Sequence, residues 1–300
     1  MRLRPVIVVL VLLGALLAPA AANASELIDR NATAVKLQVN AKGEALLSYT
    51  KAGERKHVLA WGAVNAISPT SARKQVEFKL DYAGGWGKYR KVLKEGSFPN
   101  VCGPYAGPAL AWFVTACTAP DGTHWAVQAW QRALPNYGVP ASADRTVWEL
   151  RLAHFDGVLP VLTVQLNWAY RRFDHIFGSF SYKGAPVHGF RSTPSGVPLD
   201  TFGRNLYVDT FNSAYGRGWK RENSFLMHKG TGKFCYGFYR HDPHPSGMGR
   251  KYRATIIGPG VTPDVMWEGR PLGAYDKSRD LALHEEQRSF YQGDGLCKPV

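Results

Sequence analysis

Acidic residues are scarce in this chain, with 23 Asp and Glu side chains against 37 Lys and Arg. The formal net charge at pH 7 is therefore +14 over 300 residues, of which 45% are hydrophobic. This composition excludes a disordered chain, a collagen-like repeat and a coiled coil. It is typical of a globular protein with one or two domains, and the charge favours negatively charged partners.

The motifs of several enzyme classes are also missing. No serine lies in a G-x-S-x-G sequence, which α/β-hydrolases use to present their nucleophile. Gly230–Lys233 resembles a P-loop only superficially, because Phe234 follows the lysine and the earlier glycine is absent, and no G-x-G-x-x-G follows a strand and opens a helix. The sequence therefore indicates no cofactor and leaves open whether the protein is an enzyme.

The N-terminus has the pattern of a secretory signal peptide. Two arginines precede an apolar run from Val6 to Leu17, and a small-residue stretch ending Ala22-Asn23-Ala24 follows it. The run is short for a membrane span, and Pro19 disfavours the alternative of an uncleaved anchor. We expect residues 1–24 to be removed and the product to be secreted, either extracellular or associated with the cell wall. No later run reaches the length of about 18 apolar residues that a transmembrane helix needs.

The four cysteines all follow the expected cleavage point, and an even number in an oxidising compartment predicts two disulfides. Three pairings are possible. We favour Cys102–Cys117, which closes a local loop, and Cys235–Cys297, which ties the C-terminal tail to the body of the protein. Metal ligation is disfavoured because no C-x-x-C spacing is present.

Alternation of apolar and polar residues predicts strands through most of the mature chain. Val35, Leu37 and Val39 alternate with polar residues before a turn at Lys42-Gly43, and residues 33–82 as a whole predict an antiparallel meander. Asp121-Gly122 and Asp156-Gly157 each predict a hairpin turn, because Asp-Gly favours the positive φ angles of tight turns.

One helix is predicted, from about Lys277 to Tyr291, with Asp276 or Ser278 as its N-cap. The fold class is therefore mostly β: one or two antiparallel β-sandwiches, disulfide-linked, with a single C-terminal helix. A Pro- and Gly-containing stretch from Pro135 to Ala143 predicts a boundary between domains at 25–140 and 141–300, although one continuous domain is the alternative.

Two segments carry a resemblance to a known family. They are Lys56–Ala66 (KHVLAWGAVNA) and Phe78–Gly87 (FKLDYAGGWG). In these segments the chain resembles a family of uncharacterised secreted actinobacterial proteins, mainly over its N-terminal third. The resemblance implies a secreted bacterial product and implies nothing about its chemistry.

Two kinds of hydrolytic site are compatible with the sequence. His241, Asp242 and His244 lie within four residues and are stiffened by two prolines, so they form a candidate metal site, and any further ligand would have to come from a distant part of the chain. A rigid polar loop is the more common use of such a motif. A carboxylate pair for glycan hydrolysis is the other version, with candidates in the C-terminal half: Asp174, Asp200, Asp209, Glu222, Asp242 and Glu268.

Basic and aromatic residues are interleaved between Asp200 and Gly260, where ten Lys and Arg stand against four acids. Most of these aromatic rings are expected to form the core. The segment Tyr215–Arg221 is the exception, because its glycines and consecutive charges predict an exposed loop. Rings stack on sugar faces, and guanidinium groups hold phosphate or carboxylate. The predicted ligand-binding residues are Tyr215, Arg217, Trp219, Lys220 and Arg221.

These observations favour a secreted protein that binds an anionic glycopolymer of the cell envelope and has no catalytic activity. The alternative is a secreted hydrolase that uses a metal or paired carboxylates. Nucleic acid is disfavoured as a partner, because export removes the usual target and no recognition motif is present.

Overall fold

The structure is a computed structural model that describes residues 25–62, 64, 78–133, 146–187, 205–227, 231–240 and 247–292. These residues form seventeen strands and two helices, with a 3-10 turn at Glu95–Ser97. In chain order the elements are β1 (Glu26–Arg30), β2 (Thr33–Val39), β3 (Ala45–Lys51), β4 (Glu54–Gly62), β5 (Phe78–Asp81), α1 (Trp86–Tyr89), β6 (Gly103–Pro104), β7 (Phe113–Thr118), β8 (His124–Ala133), β9 (Thr146–Phe155), β10 (Val161–Ala169), β11 (Phe173–Tyr182), β12 (Ala185–Pro186), β13 (Leu206–Ser213), β14 (Gly216–Phe225), β15 (Lys233–Gly237), β16 (Lys251–Ile256), β17 (Val265–Gly269) and α2 (Lys277–Phe290).

The strands form four antiparallel sheets. Sheet 1 has the order β1-β9-β8-β7-β6, and sheet 2 has the order β2-β3-β4-β5. Sheet 3 consists of β10-β11-β12 with β15 also paired to β11, and sheet 4 has the order β14-β13-β16-β17. The predicted class, mostly β with antiparallel sheets and one substantial helix near the C-terminus, is confirmed. The predicted boundary near residue 140 falls between β8 and β9, which are neighbours in sheet 1.

Two apolar cores hold the sheets together in a sandwich-like arrangement. In the first core, sheet 2 contributes Leu47 and Val58, and sheet 1 contributes Trp125. In the second core, β11 of sheet 3 packs with Val208 and Ile256 of sheet 4. Trp130 of β8 belongs to this second core, so sheet 1 contacts both. Of the rings between Asp200 and Gly260 that were expected in the core, Tyr207, Phe234, Phe238 and Tyr252 are buried in this second core, and Phe225 and Tyr236 pack against it.

Sheet 2 is the predicted meander. β2 pairs with β3 so that Leu37 lies opposite Leu47, and β3 pairs with β4 so that Leu47 lies opposite Val58. Gly43 has a φ of 71° in the connecting turn, a conformation that glycine adopts without steric cost. The alternating pattern sufficed here because each strand pairs with its neighbour in the chain.

The hairpin predicted at Asp121-Gly122 is present between β7 and β8, whereas the one predicted at Asp156-Gly157 is wrong. β9 pairs with β1 and β8 in sheet 1, and β10 pairs with β11 in sheet 3. Gly157 does adopt a positive φ of 94°. The turn therefore carries the chain from one sheet to another, and local turn chemistry does not distinguish these two uses.

The connection from β16 to β17 is buried along residues 257–264. Buried loops need partners for their polar groups, and here Asp264 supplies several. Its carboxylate accepts hydrogen bonds from Gly258 N at 2.9 Å and from Trp130 Nε1 at 2.7 Å. Its backbone exchanges two hydrogen bonds with the Gln128 side chain, at 2.8 and 2.9 Å. The loop is thus fixed against β8.

The second buried group in this region is Arg151 of β9. Its guanidinium lies 2.7 Å from Glu149 and 3.6 Å from Asp264, and it also donates to the carbonyl oxygen of Ser25 at 2.9 Å. Burial acts to lower the pKa of Arg151, but Asp264 and Glu149 outweigh it and raise that pKa above its ordinary value. Ser25, the predicted first residue of the mature chain, is therefore held in the interior.

Helix α2 begins after Asp276, whose carboxylate accepts a hydrogen bond from Arg279 N at 2.8 Å. The predicted helix and N-cap are confirmed. A polar chain attaches the helix to sheet 3: Gln287 accepts from Asn167 at 2.8 Å, and Asn167 contacts His175 Nδ1 at 2.8 Å. Burial, with His284 nearby, lowers the pKa of His175 to about 4.

The predicted disulfide Cys102–Cys117 is present, with an S–S distance of 2.00 Å. Cys235 is also disulfide-bonded, while Cys297 lies outside the described residues. No helix in the described part of the chain has the length and hydropathy that a bilayer crossing requires.

Candidate functional site

The segment predicted to be a ligand-binding loop is mainly a strand. Gly216–Phe225 forms β14, which lies at the edge of sheet 4 and pairs with β13. Tyr215, in the turn before it, is half-buried, and its backbone N donates to Ser213 Oγ at 3.2 Å. Arg217 is exposed and Lys220 is half-buried.

Trp219 and Arg221 are engaged within the fold. The ring of Trp219 lies 5.3 Å from that of Phe211, and the Arg253 guanidinium lies 4.3 Å above it. Arg221 is only 1% exposed. The prediction of an exposed loop through these residues is therefore wrong, because the pairing of β14 with β13 turns Arg221 inward.

The register explains the burial of Arg221. It lies directly opposite Asp209 of β13, and its Nε donates to that carboxylate at 2.6 Å. Arg253 of β16 also contacts Asp209, at 3.3 Å. The Arg221 guanidinium stacks on Tyr207 at 4.3 Å, and its two terminal nitrogens have no hydrogen-bond acceptor among the described residues. Part of the positive charge in this region is thus structural.

Glu222, the next residue of β14, is a buried carboxyl with 2% exposure. It accepts hydrogen bonds from Tyr236 Oη at 3.2 Å and from Gly247 N. Burial, assisted by the nearby charge of Asp209, raises the pKa of Glu222 to about 7. A Cβ at Gly247 would lie 1.3 Å from the Glu222 carboxylate, so only glycine permits this close contact. Glu222 is covered by backbone rather than presented in a cleft.

The other candidate residues for a hydrolytic site are buried, exposed at the surface or outside the described residues. Asp200 and all three predicted metal ligands, His241, Asp242 and His244, lie outside the described residues. Asp174 and Asp209 are buried, and Glu268 is exposed on β17. Within the described ranges, no group of three or more His, Cys, Asp or Glu side chains is placed to hold a metal ion.

A different surface combines exposed rings and cations, and it is centred on the turn between β10 and β11. Tyr170 and Arg171 occupy this turn with φ angles of 55° and 58°, and Arg172 N donates to Ala169 O at 3.2 Å. Asn and Gly are the usual residues at such positions. Two large residues in this conformation cost about 1–3 kcal/mol each, a strain that is typical of functional sites.

Aromatic rings from three parts of the chain meet at this turn. Tyr170 is 59% exposed, and its ring lies 5.8 Å from that of Tyr239, which follows β15. Tyr239 is 6.1 Å from Phe173. On the other side of the hairpin, the ring of Trp168 lies 5.5 Å from that of Tyr275, which precedes α2. Trp168 is buried, so the exposed rings beside the turn are those of Tyr170 and Tyr275, and Tyr239 is half-buried.

Four exposed arginines surround these rings, and none of them forms an ion pair with another described residue: Arg171, Arg172, Arg240 and Arg279. The Arg172 guanidinium lies 4.9 Å from the Phe173 ring, and that of Arg279 lies 5.6 Å from Trp168. We call this set the arginine–tyrosine surface, consisting of Tyr170, Arg171, Arg172, Tyr239, Arg240, Tyr275 and Arg279.

The described acids near the arginine–tyrosine surface already have partners within the fold. Asp276 caps α2, and Asp280 accepts a hydrogen bond from Tyr275 Oη at 3.0 Å and contacts His284 at 3.0 Å. Asp174 is buried under the hairpin, where it accepts from Tyr252 Oη at 2.5 Å and burial raises its pKa. Within the described ranges, none of the four arginines is therefore held in an ion pair.

Sequence reasoning missed this surface. Tyr170-Arg171-Arg172 is visible as an aromatic residue followed by two cations, and Tyr239-Arg240 repeats the pair. Either pair alone is common on a solvated loop. Only the pairing of β15 with β11 brings the two together.

Comparison with protein-family models, curated proteins and solved structures finds no match to this chain. Its function must be inferred from its own geometry.

Proposed function

We propose that this protein is secreted and binds an anionic glycopolymer of the cell envelope through the arginine–tyrosine surface, without catalysing a reaction. The observation that carries this proposal is the strained turn at Tyr170 and Arg171, set among four exposed arginines that have no ion pair with other described residues. Guanidinium groups bind phosphate and carboxylate through two parallel hydrogen bonds. The neighbouring rings offer faces on which sugars stack.

Secretion is supported by two features of the chain. The first is the N-terminal apolar run followed by Ala22-Asn23-Ala24, the pattern of a cleaved signal peptide. The second is the Cys102–Cys117 disulfide, a bond that persists mainly in oxidising compartments. Outside the cell, phosphate- and carboxylate-bearing wall polymers are the abundant anions within reach.

The test is retention of the purified protein on isolated bacterial cell walls, before and after chemical removal of their phosphate-linked polymers. We expect retention that falls as salt rises, because exposed charges are screened. Arg171→Ala with Arg172→Ala should reduce retention about tenfold or more. Arg250→Ala with Lys251→Ala is the matched control, since it removes two exposed cations from β16 and its approach instead. Equal losses in both variants would contradict a specific site.

A second variant separates binding from folding. Tyr170→Asn with Arg171→Gly places the residues that prefer left-handed backbone at the turn, so the melting temperature should stay the same or rise. Retention on cell walls should nevertheless fall, because a ring and a cation are lost. A variant that keeps full retention would show that the turn is not part of the binding site.

A further inference from the structure

A second exposed feature is the loop that follows β5, the edge strand of sheet 2. Residues Tyr82–Lys94, here called the Trp86 loop, close on themselves through a hydrogen bond from Leu93 N to Gly84 O at 2.8 Å. The Asp81 carboxylate accepts from Ala83 N at 2.9 Å and from Gly87 N at 2.8 Å. The loop is therefore held in one conformation from within.

Leu93 anchors the loop from below. It is buried in a small core with Leu46, Leu59 and Phe98. Gly85 has a φ of 106°, and a Cβ at this position would lie 2.9 Å from the Leu93 side chain. Glycine thus allows the chain to pass directly over its anchor and turn Trp86 outward.

The outer side of the Trp86 loop exposes three large apolar or aromatic side chains. Trp86 is 53% exposed, and Tyr82 and Val92 are exposed to a similar extent. The Tyr82 hydroxyl donates to Leu27 O at 3.3 Å, which fixes that ring at the side of the loop. Among the described residues, no hydrogen bond holds the Trp86 ring in this way, and Val92 has no polar group that could form one.

Three exposed cations lie beside these side chains, and no acid of the described residues forms an ion pair with them. Arg90, Lys91 and Lys94 are exposed and form no ion pair with other residues of the described ranges. The nearby acids pair with other cations: Glu44 contacts Lys88 of the loop at 2.5 Å, and Glu95 pairs with Lys36 at 3.0 Å and with Arg55. The exposed side chains of Trp86 and Val92 are therefore flanked by three cations that have no counter-ion among the described residues.

We infer that the Trp86 loop docks the protein on the surface of an anionic lipid bilayer. Trp and Tyr rings prefer the interface between headgroups and acyl chains, and the aliphatic Val92 gains by leaving water. Basic residues beside such a tip are attracted by anionic headgroups. A glycan is a poorer match, because the loop contains no carboxylate, the adjoining Asp81 already accepts backbone hydrogen bonds, and the aliphatic Val92 offers no hydrogen bond to a sugar.

The test uses the intact protein and vesicles of phosphatidylcholine, alone or mixed equally with phosphatidylglycerol, in a sedimentation assay. We expect binding to the mixed vesicles and little to phosphatidylcholine alone. Trp86→Ala should weaken this binding about tenfold, and Arg90→Ala with Lys91→Ala roughly thirtyfold, from the attraction of a basic residue to an anionic surface. Trp148→Ala is the matched control, since Trp148 is 49% exposed on β9 and should have no effect.

Three results would overturn the inference: equal binding to both kinds of vesicle, no binding to either, or equal effects of Trp86→Ala and Trp148→Ala. Loss of cell-wall retention in Trp86→Ala, with vesicle binding unchanged, would assign the loop to the glycopolymer instead. The Arg171→Ala, Arg172→Ala variant should bind vesicles normally. The inference of lipid binding and the proposal of a glycopolymer site can therefore be refuted independently of each other. Unchanged melting temperatures of the variants would show that the fold is intact.

Discussion

Replacing Glu222 by Gln should make the protein more stable at pH 8 and should change the pH dependence of its stability. The carboxyl is buried on β14, and burial raises its pKa to about 7 from an ordinary value of 4.5. Ionisation is therefore more costly in the folded chain than in the unfolded chain. Gln keeps the shape and an acceptor for Tyr236 but has no charge to bury.

The direction in which stability changes with pH follows from this raised pKa. The folded state holds the proton more tightly, so the stabilisation is complete below pH 4.5 and is lost as the pH rises through 7. A difference of roughly 2.5 pKa units corresponds to about 3 kcal/mol. Wild type should lose up to this amount between pH 4.5 and pH 8 through Glu222 alone, and the Gln variant should not.

The assay is urea unfolding followed by tryptophan fluorescence, for wild type and Glu222→Gln at pH 4.5 and pH 8. Subtracting the pH effect in the variant from that in wild type cancels the other titrating groups. Glu268→Gln is the control, because Glu268 is exposed on β17 and should keep the wild-type pH dependence. Identical pH dependence in wild type and Glu222→Gln would refute the reasoning.

Two further predictions concern stability. Replacing both Cys102 and Cys117 by Ser should lower the free energy of unfolding by about 3 kcal/mol, because the disulfide closes a loop between residues 15 positions apart. Denaturant unfolding without reductant would measure this loss. Asp209→Asn should cost about 3–5 kcal/mol, because Arg221 and Arg253 would keep buried charges without a counter-ion. The same measurement on Asp156→Asn, which breaks an exposed pair with Lys183, should show a loss below about 1 kcal/mol, and equal losses would contradict the role of burial.

The predictions that the structure confirmed all depend on residues close together in the chain. The meander of sheet 2, the hairpin at Asp121-Gly122, the Asp276 N-cap and the Cys102–Cys117 bond each join elements that follow one another in the chain or residues no more than 15 positions apart. Alternation, turn chemistry and capping act over that range. The sequence contains the whole physical cause of such features.

The wrong predictions depend on which strands pair and in which register, and turn residues alone do not determine either. Asp156-Gly157 connects two sheets because β9 pairs with β8 and with the distant β1, whereas β10 pairs with β11. The segment Tyr215–Arg221 was expected to be an exposed loop, but the register of β14 places Arg221 opposite Asp209. A charged residue is stable in the interior only where a counter-ion meets it, and the sequence does not show which acid does so.

The sequence by itself determined the fold class, the net positive charge and the abundance of aromatic rings. The tertiary structure alone decided which cations are buried against acids, as Arg151, Arg221 and Arg253 are, and which are exposed without an ion pair to any described residue, as Arg171 and Arg240 are. The physical reason is that a charge is neutralised by what lies within a few ångströms of it. Several of those neighbours, Asp209 and Asp264 among them, come from other elements, and how those elements pair and pack is a property of the folded chain.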